Sequence, residues 1–215
     1  MKKIVLIGDS IRLGYEAYVR SAFRGIAEIY APTENCRFTQ YVFRYLHEWK
    51  ALGSWPDDVD VVHWNAGLWD VIRFFGDEPQ TSPTAYAEII PRIDRRLRTL
   101  FPKARIIFAT STSIDEEGYK AVSYKRSNAD IEKYNRLAVA ALADTDTVIN
   151  DLFPLTLRLP ASARSDLTHF NNDEGCRYLG SWVTAKIAEV AGIDPASLPA
   201  VDARAAAIAA DILGY

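Results

Sequence analysis

The chain has 215 residues, 49% hydrophobic and 25% charged, which is the balance of a soluble globular domain of somewhat above-average size. Its 25 Lys and Arg against 28 Asp and Glu leave a net charge of −3, with no basic field to attract phosphates, so nucleic acid is not an expected partner. Two cysteines, Cys36 and Cys176, lie far apart and outside any CxxC spacing, and no run approaches the roughly 18 apolar residues that would cross a bilayer. A disulfide framework, a zinc site and a membrane span are thereby set aside.

Residues 3–7 read as a buried strand, too short an apolar run for a signal-peptide core, and the expected location is the cytoplasm. A helix over 13–26 follows, then a short strand over 27–31, ended by Pro32. Residues 38–52 have helical period, with Tyr41, Tyr45 and Trp49 recurring on one face. A third strand is expected over 59–64. Ser82-Pro83 reads as an N-cap with proline at the first helical position, opening a helix that runs to about Leu100 with a kink at Pro91.

A fourth strand is expected over 104–109, a helix over 128–142, a fifth strand over 147–149, a helix over 175–190 and a helical tail over 201–213. Short apolar runs alternating with amphipathic ones imply a parallel sheet covered by helices, a three-layer α/β/α sandwich. The expected strand order is the flavodoxin-like 2-1-3-4-5. All 215 residues read as one domain, with about 193–215 as a C-terminal extension.

Ligands of open parallel sheets sit outside the carboxyl ends of the strands. The residues placed there are Gly8-Asp9-Ser10 after strand one, Glu34 to Thr39 after strand two, Asn65 to Asp70 after strand three and Asp166-Leu167-Thr168-His169 after strand five. Ser10, at a strand-to-helix turn, suits a nucleophile, its own N–H lying near a positive helix end. It would equally serve as a helix cap. Of three histidines, His47 falls in a helical pattern and His63 in a strand, whereas His169 lies in a polar loop three residues after Asp166. One turn of chain would bring that carboxylate to the imidazole, although Asp166 could instead cap the next helix.

Together these four segments resemble the SGNH (GDSL-like) hydrolase superfamily, from Ile4 to about Ile187. Tyr134-Asn135 and Ile149-Asn150-Asp151-Leu152 add to the match. The resemblance implies a catalytic triad of Ser10, His169 and Asp166, an oxyanion hole that includes the Ser10 N–H, and no metal or cofactor. Two blocks depart from the family pattern. Where the second block normally carries glycine, this chain has Arg37, or Cys36 with a one-residue shift, and a non-glycine residue there is strained if φ must be positive. In the third block Trp69 occupies the usual asparagine slot, and the run Asn65 to Asp70 resembles that of an esterase or acetylesterase-like subgroup with an Asn-x-Gly-Leu-x-Asp block. This implies Asn65, two residues before Gly67, as the side-chain donor, against the alternative that it only ends the strand.

Asp9, Arg12 and Trp69 are further candidates for substrate contact, though Arg12 could simply pair with a nearby acid. Trp64, Trp69, Phe74 and Phe75 cluster after strand three, with Trp64 assigned to the core. Asp70 is expected to hold its loop, and Cys36 has no base that would make it a nucleophile. The expected function is hydrolysis of a short-chain ester, an acetyl ester above all, of a carbohydrate or small metabolite by way of an acyl-enzyme. The partner is thus a small-molecule or oligosaccharide ester. An acyltransferase on the same triad and a non-catalytic binding protein of this fold are the alternatives.

Overall fold

Residues 1–200 and 202–213 are described by a computed structural model, Leu213 through its backbone alone; Val201, where the tail helix was expected to begin, lies outside the described residues. In chain order the elements are β1 (Lys2–Ile7), α1 (Ser10–Ala22), β2 (Ala27–Tyr30), α2 (Thr39–Leu52), β3 (Val61–Trp64), β4 (Arg73–Phe74) and α3 (Pro83–Leu100). After them come β5 (Arg105–Ala109), β6 (Tyr124–Lys125), α4 (Asn128–Ala141), β7 (Val148–Asn150), α5 (Leu152–Leu157), α6 (Asp173–Ala191) and α7 (Ala203–Leu213).

Five strands form one parallel sheet in the order β2-β1-β3-β5-β7, the expected 2-1-3-4-5 once the two-residue strands are set apart. Helix α1 packs on α6, while α2, α3 and α4 pack in a row, so both faces of the sheet are covered. This double burial is why β1 and β3 read as unbroken apolar runs rather than alternating ones: Ile4 to Ile7 and Val61 to Trp64 are all buried, His63 included. His63 is held neutral there, its pKa pushed down to about 3 by burial, with Asn150 Nδ2 3.2 Å from its Nε2.

Three expectations are corrected. Helix α1 begins at Ser10 rather than at 13, because the Asp9 carboxylate accepts the Ile11 N–H at 3.0 Å and caps the helix. It ends at Ala22, four residues early, in a turn that puts Gly25 at φ +77°. Helix α5 and the antiparallel pair β4–β6 were not expected: a six-residue helix and two-residue strands are too short to display a period. The Ser82 hydroxyl does cap α3, and that helix continues without interruption through Pro91.

Candidate active site

The sheet register brings the first three blocks together. Ile7 lies beside Trp64 at the carboxyl ends of β1 and β3. Past that point the ladder continues: the Asn65 N–H donates to Ile7 O at 3.0 Å, and the Cys36 N–H donates to Gly8 O at 3.1 Å. Ser10 therefore rises between the second block on one side and the third on the other. Gly8 is required in this turn by close approach, since a Cβ there would lie 2.0 Å from Asn65 Oδ1 and 2.8 Å from Arg12 Cβ.

The fourth block reaches Ser10 across α1. The Asn171 side chain rests on Gly14, where a Cβ would stand 2.2 Å from Asn171 Oδ1, and the Cys176 thiol lies 3.0 Å from Gly14 O. These contacts seat the loop one turn of helix away from Ser10. His169 Nε2 is 2.7 Å from Ser10 Oγ, and His169 Nδ1 is 2.7 Å from Asp166 Oδ2. Asp166 Oδ1 meanwhile accepts the N–H groups of Thr168 and His169, each at 2.8 Å. Although partial burial raises the pKa of Asp166, those two N–H groups and the imidazole outweigh it and hold the carboxyl below its ordinary value of 3.8. It is therefore charged throughout the neutral and mildly acidic range, and the loop contacts it makes persist until pH falls through that depressed value.

Both capping alternatives go to other residues. Asp9, not Ser10, caps α1, which leaves the Ser10 hydroxyl for the imidazole. Asn172, not Asp166, caps α6 through the Gly175 N–H. The arrangement is one in which an imidazole can take a hydroxyl proton while a carboxylate steadies the imidazolium.

Arg37 has φ +53°, the left-handed conformation in which the family pattern would place glycine. Its N–H, however, donates to Asn35 Oδ1 at 2.8 Å, closing an Asx-turn, and so does not stand free to meet an oxyanion as expected. The N–H of Cys36 is likewise engaged, with Gly8 O. Asn65 is 6% exposed, and its Oδ1 is buried over Gly8 without a hydrogen-bond partner, which leaves Nδ2 as the donor end of the amide.

Asp9 and Arg12 are both fully buried, so neither offers a surface to substrate as expected. Arg12 pairs with Glu16 and donates to Glu34 O at 2.6 Å, tying the second block to α1. Asp9 has its pKa raised by burial, against the Ile11 N–H, the Asn65 amide and the charges of Arg126 and His169. Cys36 is buried and its thiol is pushed up to about 12 by desolvation, so it is not a thiolate at neutral pH. Asn135, expected as a supporting match, clamps Ser111 by accepting its N–H at 2.8 Å and donating to its carbonyl at 3.0 Å.

Asp70 links the third block to the second. Phe38 precedes α2 and has no side chain able to cap it; the Asp70 carboxylate does so instead, accepting the Thr39 N–H at 3.2 Å and the Thr39 hydroxyl at 2.6 Å. Burial raises its pKa to about 6 in spite of those bonds. A carboxyl that binds its proton more tightly when folded supports folding below its unfolded value of 3.8 and loses that support as pH rises through about 6. The shift corresponds to at most about 3 kcal/mol. Thermal melts should accordingly show Asp70→Asn gaining on the wild type between pH 4 and pH 7, with the difference flat above that window.

Ser10, Asp166 and His169 share a cavity of about 420 Å³ with Trp69 and Phe74, walled also by Leu68, Ile72, Tyr124, Arg126, Leu167 and Thr168. Trp64 is buried in the core against Phe108, as expected, while Phe75 is 93% exposed and outside this cavity. Arg126 and Tyr124 were not anticipated. Tyr124 arrives on the β4–β6 ribbon, which pairs Arg73 with Lys125 and Phe74 with Tyr124, and Arg126 follows directly after it. Nothing in the spacing of those residues announces that pairing.

No protein-family model matches the chain, and no curated protein matches its sequence. Solved structures do match it. A lipase/acylhydrolase from Enterococcus faecalis is 18% identical, with 87% of this chain and 95% of that one covered at a TM-score of 0.68. The acetyl xylan esterase AlAXEase is 16% identical over 86% of this chain and 99% of its own, also at 0.68. A GDSL-like lipase from Bacteroides thetaiotaomicron is 14% identical over 87% and 88%, at 0.65. At such identities the likeness is one of architecture, and the architecture is the one expected from the sequence: this chain has the α/β/α fold of the GDSL-like lipases and acetyl xylan esterases.

Proposed function

We propose that the protein is a serine esterase that cleaves a short-chain ester, an acetyl ester of a carbohydrate or small metabolite above all, through an acyl-enzyme on Ser10. The observation that carries this reading is the unbroken file from Ser10 Oγ to His169 Nε2 and from His169 Nδ1 to Asp166, at 2.7 Å for each step. Ser10 Oγ attacks the ester carbonyl as its proton passes to His169 Nε2. The tetrahedral intermediate collapses, expelling the alcohol, which takes that proton from His169. A water molecule then adds to the acyl-Ser10 carbonyl, giving its proton to His169, and the second tetrahedral intermediate collapses as His169 Nε2 returns that proton to Ser10 Oγ, releasing the acid and restoring the hydroxyl.

Negative charge on the carbonyl oxygen is met by the Ser10 N–H and by Asn65. The first is one of the orphan donors of the first turn of α1, and the second belongs to the residue whose N–H bonds Ile7 O, three residues before Ser10. Arg37 contributes its N–H only if Asn35 releases it. A cavity of about 420 Å³ holds a short acyl group with a sugar-sized alcohol, and Trp69 supplies a flat ring to one side. Carbohydrate acetyl esters are favoured because AlAXEase and an esterase from Geobacillus stearothermophilus of the same fold are acetyl xylan esterases. Among the described residues no helix is long and apolar enough to cross a membrane, and both cysteines are free; a cytoplasmic location belongs to this reading.

A fluorophosphonate probe should label the wild type at Ser10 and leave Ser10→Ala unlabelled. Across p-nitrophenyl esters, kcat/KM should be highest for acetate to butyrate and should fall for octanoate. A wild type that neither takes the probe nor cleaves any ester in the series would overturn the assignment.

A further inference from the structure

Among the described residues, Arg126 is the one Lys or Arg that lines the Ser10 cavity. It stands between β6 and the Ser127 cap of α4, where two neutral acceptors fix it. Its Nε donates to Leu68 O at 2.6 Å and its Nη1 to Tyr119 Oη at 2.6 Å. Tyr119 Oη is in turn 2.5 Å from Thr168 Oγ1, next to His169 in the fourth block. The guanidinium is thus oriented before any ligand arrives.

These bonds occupy two of its five N–H donors, and no carboxylate among the described residues forms an ion pair with it. Asp9 feels its charge but is fully buried, with Oδ1 taken by the Ile11 N–H and no ion pair to Arg126, and Asp166 is engaged with His169. A carbonyl and a phenol require only a neutral donor, and the Tyr119 ring, 5.9 Å from the guanidinium carbon, is a weak partner at the outer limit of cation–π range, so no contact that holds the side chain neutralises its positive charge. Leu68, Trp69, Ile72, Phe74 and Leu167 supply apolar walls, which strengthen the attraction of that charge for an anion within the cavity.

Resting on the esterase reading, we infer that Arg126 binds an anionic group of the substrate, a carboxylate carried by either the acyl or the alcohol half of the ester. The guanidinium fork matches a carboxylate in shape as well as sign. A charge-assisted hydrogen bond of this kind is worth about tenfold to a hundredfold in affinity.

The test uses matched ester pairs that differ in charge. For the acyl half the pair is 4-nitrophenyl hydrogen adipate against 4-nitrophenyl hexanoate; for the alcohol half it is 3-acetoxybenzoate against 3-acetoxybenzamide. In one pair the wild type should prefer the anion by at least about tenfold in kcat/KM, and the pair that shows the preference identifies the half that carries the charge. Arg126→Gln should remove that preference, and Arg126→Lys should keep part of it. Preference for the neutral ester in both pairs, or an unchanged ratio in Arg126→Gln, would overturn the inference. Binding of 3-acetoxybenzoate and of adipate to Ser10→Ala, followed by tryptophan fluorescence, separates the two readings. If no ester is cleaved yet either anion binds and Arg126→Gln weakens it at least about tenfold, the esterase reading falls and the anion site stands. If esters are cleaved and neither anion depends on Arg126, the reverse holds.

Discussion

Asp166→Asn is expected to reduce kcat for ester cleavage by about 10⁴-fold, and to do more harm than Asp166→Ala. The reason lies in how the carboxylate is held. Its Oδ1 accepts the N–H groups of Thr168 and His169, so an amide at this position must put its carbonyl oxygen there. The NH₂ group is then directed at His169 Nδ1, 2.7 Å away in the present structure. A donor facing Nδ1 forces the imidazole proton onto Nε2, and Nε2 can no longer accept the proton of Ser10. Alanine imposes no such tautomer, and the Asp166 side chain is 54% exposed, so water can take up the Nδ1 proton in its absence. His169→Ala, which removes the base itself, should lose about 10⁶-fold. The check is single-turnover and steady-state kinetics of the three variants on p-nitrophenyl acetate; equal losses for Asn and Ala at position 166 would refute the tautomer argument.

What could be read from the chain and what could not divide along a physical line. The ends of β1 and β3 were legible because parallel strands buried on both faces are apolar on both, and such runs as Ile4 to Ile7 and Val61 to Val62 stand out from the helical stretches between them. By contrast β2 and β7, half-buried at the sheet edges, are marked only by short apolar runs and, for β2, by Pro32. Once the strands are placed, Ser10 and the Asp166–His169 loop fall at one edge of the sheet. The start of α1 was misplaced because Asp9 does two things at once: it belongs to the Gly-Asp-Ser turn, and its carboxylate begins the helix. The blocked N–H of Arg37 had a readable sign, since asparagine commonly bonds the backbone two residues on and Asn35 stands two residues before it. Arg126 had none. Its place in the cavity depends on Arg73 meeting Lys125 across two-residue strands far apart in the chain, and on Tyr119 and Leu68 offering it acceptors.

Asn65→Ala is expected to reduce kcat about 10²–10³-fold with little change in KM, because an oxyanion donor acts on charge that exists only in the transition state. Asn65 earns this assignment by position: its N–H extends the β1–β3 ladder to Ile7 O, and its Oδ1 packs inward over Gly8. The same contact yields a second route to the same defect. A methyl group at position 8 would stand 2.0 Å from Asn65 Oδ1, so Gly8→Ala must displace the amide without removing it. If the displaced amide is what slows Gly8→Ala, the double variant Gly8→Ala/Asn65→Ala should be no slower than the slower single one, since two changes that remove one interaction do not add. A product of the two losses would instead mean that Gly8→Ala acts elsewhere, through Arg12 Cβ, which lies 2.8 Å from the same point. Full turnover in Asn65→Ala would transfer the donor to Trp69 Nε1, and Trp69→Phe would then carry the defect.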